Sequence, residues 1–172
     1  EPDFNTPDYI SKAAFEAIEK GKTNYTPTPG TTRLRRAIKN KFERDNGLNY
    51  SLDQIIVSNG AKHSLANALQ ATVDPGSEVI IPLPYWVSYP EMVKLADGKP
   101  VYLKADQTNN FKIKADELAD IISEDTRALI LNNPGNPDGH VYNKKELEAI
   151  ASVALENDLI VISDEIYEHL IY

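Results

Sequence analysis

The sequence predicts an α/β fold with a largely parallel sheet and helices on both of its faces. Short apolar runs of strand length alternate along the chain with longer segments of helical pattern. Turn signals such as Asp74-Pro75-Gly76 and Asp97-Gly98 separate these segments. Because strands that alternate with helices form parallel sheets, ligands are expected beyond the carboxyl ends of the strands.

Each element follows from its local pattern. The strands are predicted where Ile, Val and Leu cluster in short runs, and the helices where apolar residues recur every three or four positions. The predicted strands are Ile55–Val57, Glu78–Ile81, Val101–Leu103, Ala128–Leu131 and Leu159–Ile162. The predicted helices are Asp8–Lys20, Thr31–Arg44, Ala61–Ala71, Tyr85–Leu95, Ala115–Ile122 and Lys144–Asn157.

Length and composition are those of an ordinary globular domain. The 172 residues are 41% hydrophobic and 26% charged, enough to bury a sizeable core. No apolar stretch approaches the roughly 20 residues that span a bilayer, and neither a signal nor a transit peptide is visible. Since the chain has no cysteine, it has no disulfide or thiolate chemistry, which fits a cytoplasmic location. Because no apolar stretch is long enough to span a bilayer, we expect no membrane partner.

The charge pattern argues against nucleic acid as a partner. The formal net charge is −8, whereas binding to phosphate backbones needs clustered Lys and Arg. The one basic cluster is expected to form the solvated face of a helix. It comprises Arg33, Arg35, Arg36, Lys39, Lys41 and Arg44. The histidines His63, His140 and His169 lie far apart, so a zinc site or hydrolase triad is not predicted.

A carboxylate and a phenol follow the last predicted strand. Asp164 comes two residues after its apolar run, behind Ser163, and Tyr167 follows three residues later. An Asp at the end of a parallel strand can hold the nitrogen of a heterocycle protonated, while a nearby Tyr donates to an oxygen on the same ring. The alternative is a buried strand that ends in a solvated acidic turn.

A proline-containing loop follows the strand Ala128–Leu131. It reads Asn132-Asn133-Pro134-Gly135-Asn136-Pro137-Asp138-Gly139, and its prolines push Asn133 and Asn136 toward extended conformations. We expect a stiff loop that holds the Asn136 amide in place, or else a plain turn stabilised by Asn side chains.

A third segment, Ser58-Asn59-Gly60-Ala61-Lys62, follows the predicted strand Ile55–Val57. Its glycine and small residues would let a phosphate approach the amides at the start of the next helix. The glycine spacing of P-loops and dinucleotide-binding motifs is absent, so an ordinary strand-to-helix turn remains the alternative.

Together these motifs make the chain resemble the class I pyridoxal-phosphate-dependent aminotransferases, and most of all the bacterial aspartate aminotransferases. The resemblance runs nearly end to end, with several independent motifs in the right order. It also rests on Glu1-Pro2-Asp3-Phe4, Tyr25-Thr26-Pro27, Leu34-Arg35, Pro84-Tyr85-Trp86-Val87-Ser88-Tyr89-Pro90-Glu91 and Ser163-Asp164-Glu165-Ile166-Tyr167. It implies an incomplete three-layer cofactor domain at residues 24–172, preceded by an N-terminal arm at residues 1–23.

The resemblance also implies the cofactor, pyridoxal 5′-phosphate, and a role for each motif. The backbone of Gly60, Ala61 and Lys62 would surround the phosphate. Asp164 would pair with the ring nitrogen, and Asn136 and Tyr167 would both bind the ring's phenolic oxygen. Trp86 would stack on the ring, although a lone Trp is by composition more often a core residue.

Substrate and assembly are implied in the same way. In one group of bacterial aspartate aminotransferases a lysine at the position of Lys62 reaches the distal carboxylate of the substrate, although Lys62 could instead only support the phosphate or be solvated. Trp86 and Asn136 would also face the substrate. Tyr25 matches a residue that reaches the phosphate of a neighbouring subunit, which implies a homodimer with composite sites.

Some features depart from the family pattern. The lysine that forms the Schiff base and the arginine that clamps the substrate α-carboxylate lie downstream in the family and have no match before Tyr172. The glycine that usually precedes Glu1-Pro2-Asp3-Phe4 is also absent, so we interpret the chain as a fragment. Asp138 stands where the family usually has Thr or Ser.

The predicted activity of the full-length protein is therefore the transfer of an amino group from aspartate to 2-oxoglutarate. The partners would be a small amino acid and a 2-oxo acid. Prephenate, aromatic or alanine aminotransferase and a carbon–sulfur lyase are alternatives on the same scaffold. A non-catalytic interaction module that keeps the cofactor-domain shape is the alternative from another class.

Overall fold

The computed structural model describes residues 4–172, which form two compact units. The first unit ends at Ser58, and the second is Asn59–Tyr172. The expected division into an arm of residues 1–23 and a cofactor domain of residues 24–172 stays a prediction. Glu1-Pro2-Asp3 of the N-terminal motif lies outside the described residues.

The first unit contains the helices α1 (Asp8–Glu19) and α2 (Thr32–Lys41), followed by a π-helical turn, Phe42–Asn46, and a short 3-10 turn, Leu52–Gln54. The Thr31 hydroxyl caps α2 by accepting a hydrogen bond from the amide of Leu34 at 3.3 Å. The basic residues of α2 are not all solvated as expected. The guanidinium of Arg35 is partly buried and donates to the carbonyl of Leu52 at 2.8 Å, so it ties α2 to the 3-10 turn.

The predicted strand Ile55–Val57 is wrong, because these residues form no strand. A strand needs a ladder of backbone hydrogen bonds. Within the first unit, the amide of Val57 donates to the carbonyl of Pro29 at 3.1 Å, and this is one bond rather than a ladder. The backbone at Gly30 lies close to the Val57 side chain, because a Cβ on Gly30 would be 2.7 Å from Cγ2 of Val57. The apolar side chains alone produced the strand prediction.

The second unit is built on a parallel sheet, as predicted. Its strands are β1 (Glu78–Leu83), β2 (Lys99–Lys104), β3 (Thr126–Asn132) and β4 (Ile160–Asp164), in the order β2-β1-β3-β4. Each neighbouring pair is parallel. The register places Asn132 beside Asp164, so the carboxyl ends of β3 and β4 lie level with each other.

Helices cover both faces of this sheet. They are α3 (Ala61–Thr72), α4 (Ser88–Leu95), α5 (Ala115–Ile121) and α6 (Lys144–Glu156). Side chains of α3 and α4 pack with one face of the sheet, and those of α5 and α6 pack with the other. The chain therefore forms the expected three layers.

The alternation of strand side chains explains why both faces are covered. Val79 and Ile81 point to the α3 and α4 side, whereas Ile80 between them points to the α5 and α6 side, and all three are fully buried. Burial of such a side chain stabilises the fold by about 1.5–3 kcal/mol. Strands that are apolar on both faces are typical of parallel sheets.

Across the described part of the chain, no helix combines the length and the apolar character needed to cross a membrane.

Candidate functional site

The carboxyl ends of β3 and β4, the start of α3 and the segment that leads into α4 meet at a cavity of about 200 Å³. This is where the α/β class places ligands. Five of the residues singled out in the sequence line it together. The lining residues are Ala61, Trp86, Tyr89, Asn132, Asn136, Asp164, Ile166 and Tyr167.

Asp164, the last residue of β4, is the buried charge of this cavity, with 9% of its surface exposed. The hydroxyl of Tyr89 donates to its Oδ2 at 2.8 Å, and the backbone amide of Ile166 donates to Oδ1 at 3.2 Å. A buried carboxylate is costly unless it is hydrogen-bonded, and these donors hold it in one orientation. The predicted alternative of a solvated acidic turn is therefore wrong for Asp164.

Tyr89, in the first turn of α4, is a site residue for which no role was predicted from the sequence. Burial, followed by its hydrogen bond to Asp164 and the charge of that carboxylate, raises the pKa of Tyr89 far above its usual value. Tyr89 therefore stays protonated and donates to Asp164 at any ordinary pH. Its position three residues after Trp86 was a usable signal, since residues at this spacing can share one side of a starting helix.

Trp86 lies before α4, which begins at Ser88 rather than at the predicted Tyr85. Its indole meets the Tyr89 ring edge to face, with 5.5 Å between the centroids. Trp86 also packs partly against the core formed with α3 and α4. Trp86 was predicted either to face a ligand or to be a core residue. Its ring does line the cavity, and it also packs against the core.

Asn136 and Tyr167 meet at the same cavity. The side-chain amide of Asn136 donates to the hydroxyl of Tyr167 at 3.3 Å, and its backbone amide donates to Oδ1 of Asn132 at 2.7 Å. Asn132 in turn donates to the backbone carbonyl of Asp164 at 3.0 Å. Hydrogen bonds therefore connect the loops after β3 and β4. Asn132 is a second site residue for which no role was predicted from the sequence.

The start of α3 adds backbone donors. Gly60 precedes the helix with a φ of +82°, in a region that favours glycine. Ala61 opens the helix and lines the cavity. The first amides of any helix lack helical partners, so a negatively charged group at this end would be bound by backbone N–H groups.

Lys62 is exposed, and its Nζ lies 5.0 Å from the centroid of the Trp86 ring. An ammonium over an indole face is an attractive arrangement that also holds the charge beside the cavity.

Tyr25 is fully exposed in the first unit, and its predicted role at a neighbouring subunit stays a prediction. Of the histidines, His63 accepts a hydrogen bond from the amide of Asn59 at 3.1 Å, and His169 lies 3.0 Å from Glu168. Within residues 4–172, no group of His, Cys, Asp and Glu side chains suits a metal ion.

The hydrogen-bonding groups and the aromatic surface of the cavity fit a flat heterocycle. The Asp164 carboxylate suits a protonated ring nitrogen, the Asn136 amide and Tyr167 hydroxyl suit a ring oxygen, and Trp86 offers an aromatic surface. A Cβ added to Gly60 would meet nothing within 4 Å, so space is open at the start of α3.

Comparison with known proteins shows the family of the chain. Residues 1–172 match the family model of class I and II aminotransferases, and the chain belongs to this family. It is 53% identical over 172 residues to an aspartate aminotransferase of Bacillus sp. (strain YM-2), covering 100% of this chain and 44% of that protein.

Two further proteins resemble the chain over its whole length. It is 51% identical over 173 residues to the bifunctional aspartate aminotransferase and glutamate/aspartate-prephenate aminotransferase of Petunia hybrida, of which it covers 36%. The solved structure of the Thermus thermophilus aspartate aminotransferase with maleate is 46% identical and superposes with a TM-score of 0.97, over 100% of this chain and 45% of that one. The chain thus spans less than half the length of these relatives.

Proposed function

We propose that the full-length protein containing this chain is a pyridoxal-phosphate-dependent aminotransferase. One observation carries the proposal: the buried carboxylate of Asp164 shares a cavity with the hydrogen-bonded pair Asn136 and Tyr167. An acceptor for a protonated ring nitrogen and donors for a ring oxygen are what a pyridine ring with an oxygen substituent requires. Membership of the class I and II aminotransferases supports it.

Asp164 provides the electrostatic part of the mechanism. When bound, pyridoxal phosphate supplies an electron sink for the electron pair that remains when the α-proton of the substrate departs. Asp164 keeps a proton on the ring nitrogen through a charge-assisted hydrogen bond. The hydrogen bond from Tyr89 to Oδ2, 2.8 Å long, keeps the carboxylate oriented. Each carboxylate oxygen can accept more than one hydrogen bond, so the carboxylate can still accept one from the ring.

The remaining residues of the site bind and orient the cofactor. Asn136 and Tyr167 donate hydrogen bonds to the ring oxygen, and the Trp86 indole stacks against the ring. The backbone amides of Gly60, Ala61 and Lys62 bind the phosphate at the start of α3, where the helix dipole favours a negative charge.

The residues that move the substrate proton and clamp its α-carboxylate are proposed to lie outside residues 1–172. None of the lysines in the chain has a context that suits the proton transfer. We therefore expect the 172-residue chain alone to show no turnover. Robust transamination by this chain would contradict the assignment.

For substrates, we propose aspartate as amino donor and 2-oxoglutarate as acceptor. The ammonium of Lys62, held over Trp86 beside the cavity, can bind the distal carboxylate of a dicarboxylic substrate. The names of the Bacillus and Petunia relatives, and the maleate, a dicarboxylate, in the Thermus structure, support this choice. Prephenate is the second candidate acceptor, because the Petunia relative is also named for it.

Replacement of Lys62 tests the substrate proposal in the full-length enzyme. Lys62→Ala should lower kcat/KM for aspartate by about tenfold or more, since one charge-assisted hydrogen bond contributes about 1.5–3 kcal/mol. Activity with alanine and phenylalanine should change little. Lys144→Ala is the matched control, because the Lys144 side chain is 88% exposed on α6. An equal loss with all three amino acids would count against the dicarboxylate assignment.

We further propose a cytoplasmic homodimer. The absence of cysteine fits a reducing compartment, and the fully exposed ring of Tyr25 is free to enter the site of a neighbouring subunit. Light scattering of the full-length protein should give twice the mass of one chain, and a monomer mass would contradict the dimer.

A further inference from the structure

A buried pair of ionisable side chains lies in the β3–α6 loop, residues 133–143, which also carries Asn136. Nδ1 of His140 and Oδ2 of Asp138 are 2.6 Å apart, and these side chains are only 7% and 8% exposed. A contact this short and this buried is strong, because little water competes with it.

The Asp138 carboxyl group has a hydrogen-bond partner on one of its two oxygens only. Oδ1 of Asp138 is buried and has no hydrogen-bond partner among the described residues. His140 is therefore the group that compensates this buried carboxylate, and loss of His140 would leave it unpaired.

One side of the His140 ring packs on Gly135, directly before Asn136. A Cβ on Gly135 would lie 2.3 Å from both Nδ1 and Cε1 of the ring, so the ring occupies the space that a side chain would need. The amide of Gly135 also donates to the carbonyl of His140 at 2.9 Å, and the amide of Gly139 donates to the carbonyl of Gly135 at 3.0 Å. The ring thus fixes the backbone that leads into Asn136.

Tyr142 supports the His140 ring through an edge-to-face contact. The two ring centroids are 5.0 Å apart, at an interplanar angle of 89°. Tyr142 is itself anchored, because its hydroxyl accepts from the amide of Ile113 at 3.0 Å and its amide donates to Oδ1 of Asn133 at 3.1 Å. His140 is therefore held between a fixed tyrosine and the loop backbone.

His140 also lies beside residues that line the cavity of the candidate site. With Asn136, Asn132 and Tyr89 it lines a void of about 10 Å³, close to the smallest volume that holds one water. Because both side chains line this void, a change in the volume or tilt of the His140 imidazole directly alters the packing around Asn136.

We propose that Asp138 and His140 are positioning residues for Asn136: their buried pair locks the β3–α6 loop so that the Asn136 amide stays aimed at Tyr167 and at the oxygen of the cofactor ring. This inference rests on the proposed function. The paired side chains touch no reacting atom themselves and act only through the orientation of Asn136.

The test uses the full-length enzyme loaded with pyridoxal phosphate and follows, by absorbance, the pKa of the linkage between cofactor and lysine. A donor to the ring oxygen competes with the proton of the linkage for that oxygen, so a poorly placed Asn136 raises this pKa. His140→Ala and Asp138→Ala are each expected to raise it by about half a unit or more, equivalent to a roughly threefold change in the proton equilibrium. Asp138→Asn, which keeps an oxygen acceptor for Nδ1, should restore most of the wild-type value.

A purely structural role would lower thermal stability and leave the linkage pKa unchanged. Asn136→Ala gives the full shift for comparison, and adding His140→Ala to it should produce no further shift, because the effect runs through Asn136. His169→Ala is the control, since that side chain is 75% exposed. Should His140→Ala fail to fold, Asp138→Ala supplies the same measurement.

These measurements distinguish a failure of the positioning inference from a failure of the proposed function. A shift with Asn136→Ala but none with His140→Ala or Asp138→Ala would overturn the inference and leave the aminotransferase proposal intact. No shift with Asn136→Ala would overturn the inference, because Asn136 would then not contact the ring oxygen, whereas the absence of any absorbance from a linkage between cofactor and lysine would overturn the proposed function.

Discussion

At the scale of single residues, the site depends on how a buried carboxylate is kept charged and oriented. Asp164 accepts hydrogen bonds from the hydroxyl of Tyr89 and the amide of Ile166. Tyr89 and Asp164 are 75 positions apart in the sequence, so no local pattern could predict this contact. The motifs predicted Asp164, Asn136 and Tyr167 as site residues, but the contacts through which Tyr89 and Asn132 orient them emerge only from the fold.

Tyr89→Phe should destabilise the protein. The substitution removes the donor to a buried carboxylate, and hydrogen bonds to charged groups contribute about 1.5–3 kcal/mol. Urea unfolding at neutral pH measures the loss of free energy of unfolding. Tyr9→Phe is the matched control, because the Tyr9 ring is 75% exposed and its replacement should change stability by less than about 0.5 kcal/mol. Equal effects of the two substitutions would contradict the role given to Tyr89.

The buried tyrosines should also make stability fall at alkaline pH. Burial raises the pKa of Tyr142 to about 12, and burial with the Asp164 contact raises that of Tyr89 further. An unfolded tyrosine titrates near pH 10. The folded state therefore binds these protons more tightly, and their stabilisation is complete below about pH 10 and is lost as the pH rises through 12. Urea midpoints from pH 8 to 12 should fall less steeply in Tyr89→Phe than in the wild type; identical slopes would refute this.

At the scale of elements, the hydrophobic pattern predicted the sheet and its helices because burial on both faces leaves an unambiguous signal. β1 to β4 and α1 to α6 all overlap their predicted segments. Ile55–Val57 was predicted wrongly, since an apolar run reports burial but not the hydrogen-bond ladder that defines a strand. The hydrophobic pattern also did not predict that α4 begins only at Ser88. Because of this later start, Trp86 precedes the helix and lies at the edge of the cavity.

The cap of α6 gives a test at this scale. The Asn143 side chain accepts from the amide of Glu146 at 3.1 Å, and the Glu146 carboxylate accepts from the amide of Asn143 at 2.7 Å. Asn143→Ala should lower the free energy of unfolding by about 1 kcal/mol, whereas Asn143→Ser should retain most of it, because serine is an equally good cap. Urea unfolding distinguishes the two, and an Ala variant as stable as the Ser variant would contradict the capping role.

At the scale of the whole molecule, parallel strands with helices on both faces bring residues from distant parts of the second unit to one edge of the sheet. The start of α3, the segment from Trp86 into α4, the end of β3 with its following loop, and the end of β4 all supply lining residues to one cavity. Class I and II aminotransferases are the family to which the chain belongs. The central claim is that these residues hold pyridoxal phosphate for amino transfer in the full-length protein.

The most direct test of that claim is to incubate the full-length protein with pyridoxal phosphate, reduce it with borohydride and map the modified peptides by mass spectrometry. We predict stoichiometric modification of one lysine outside residues 1–172. Modification scattered over several lysines, or none at all, would contradict the claim.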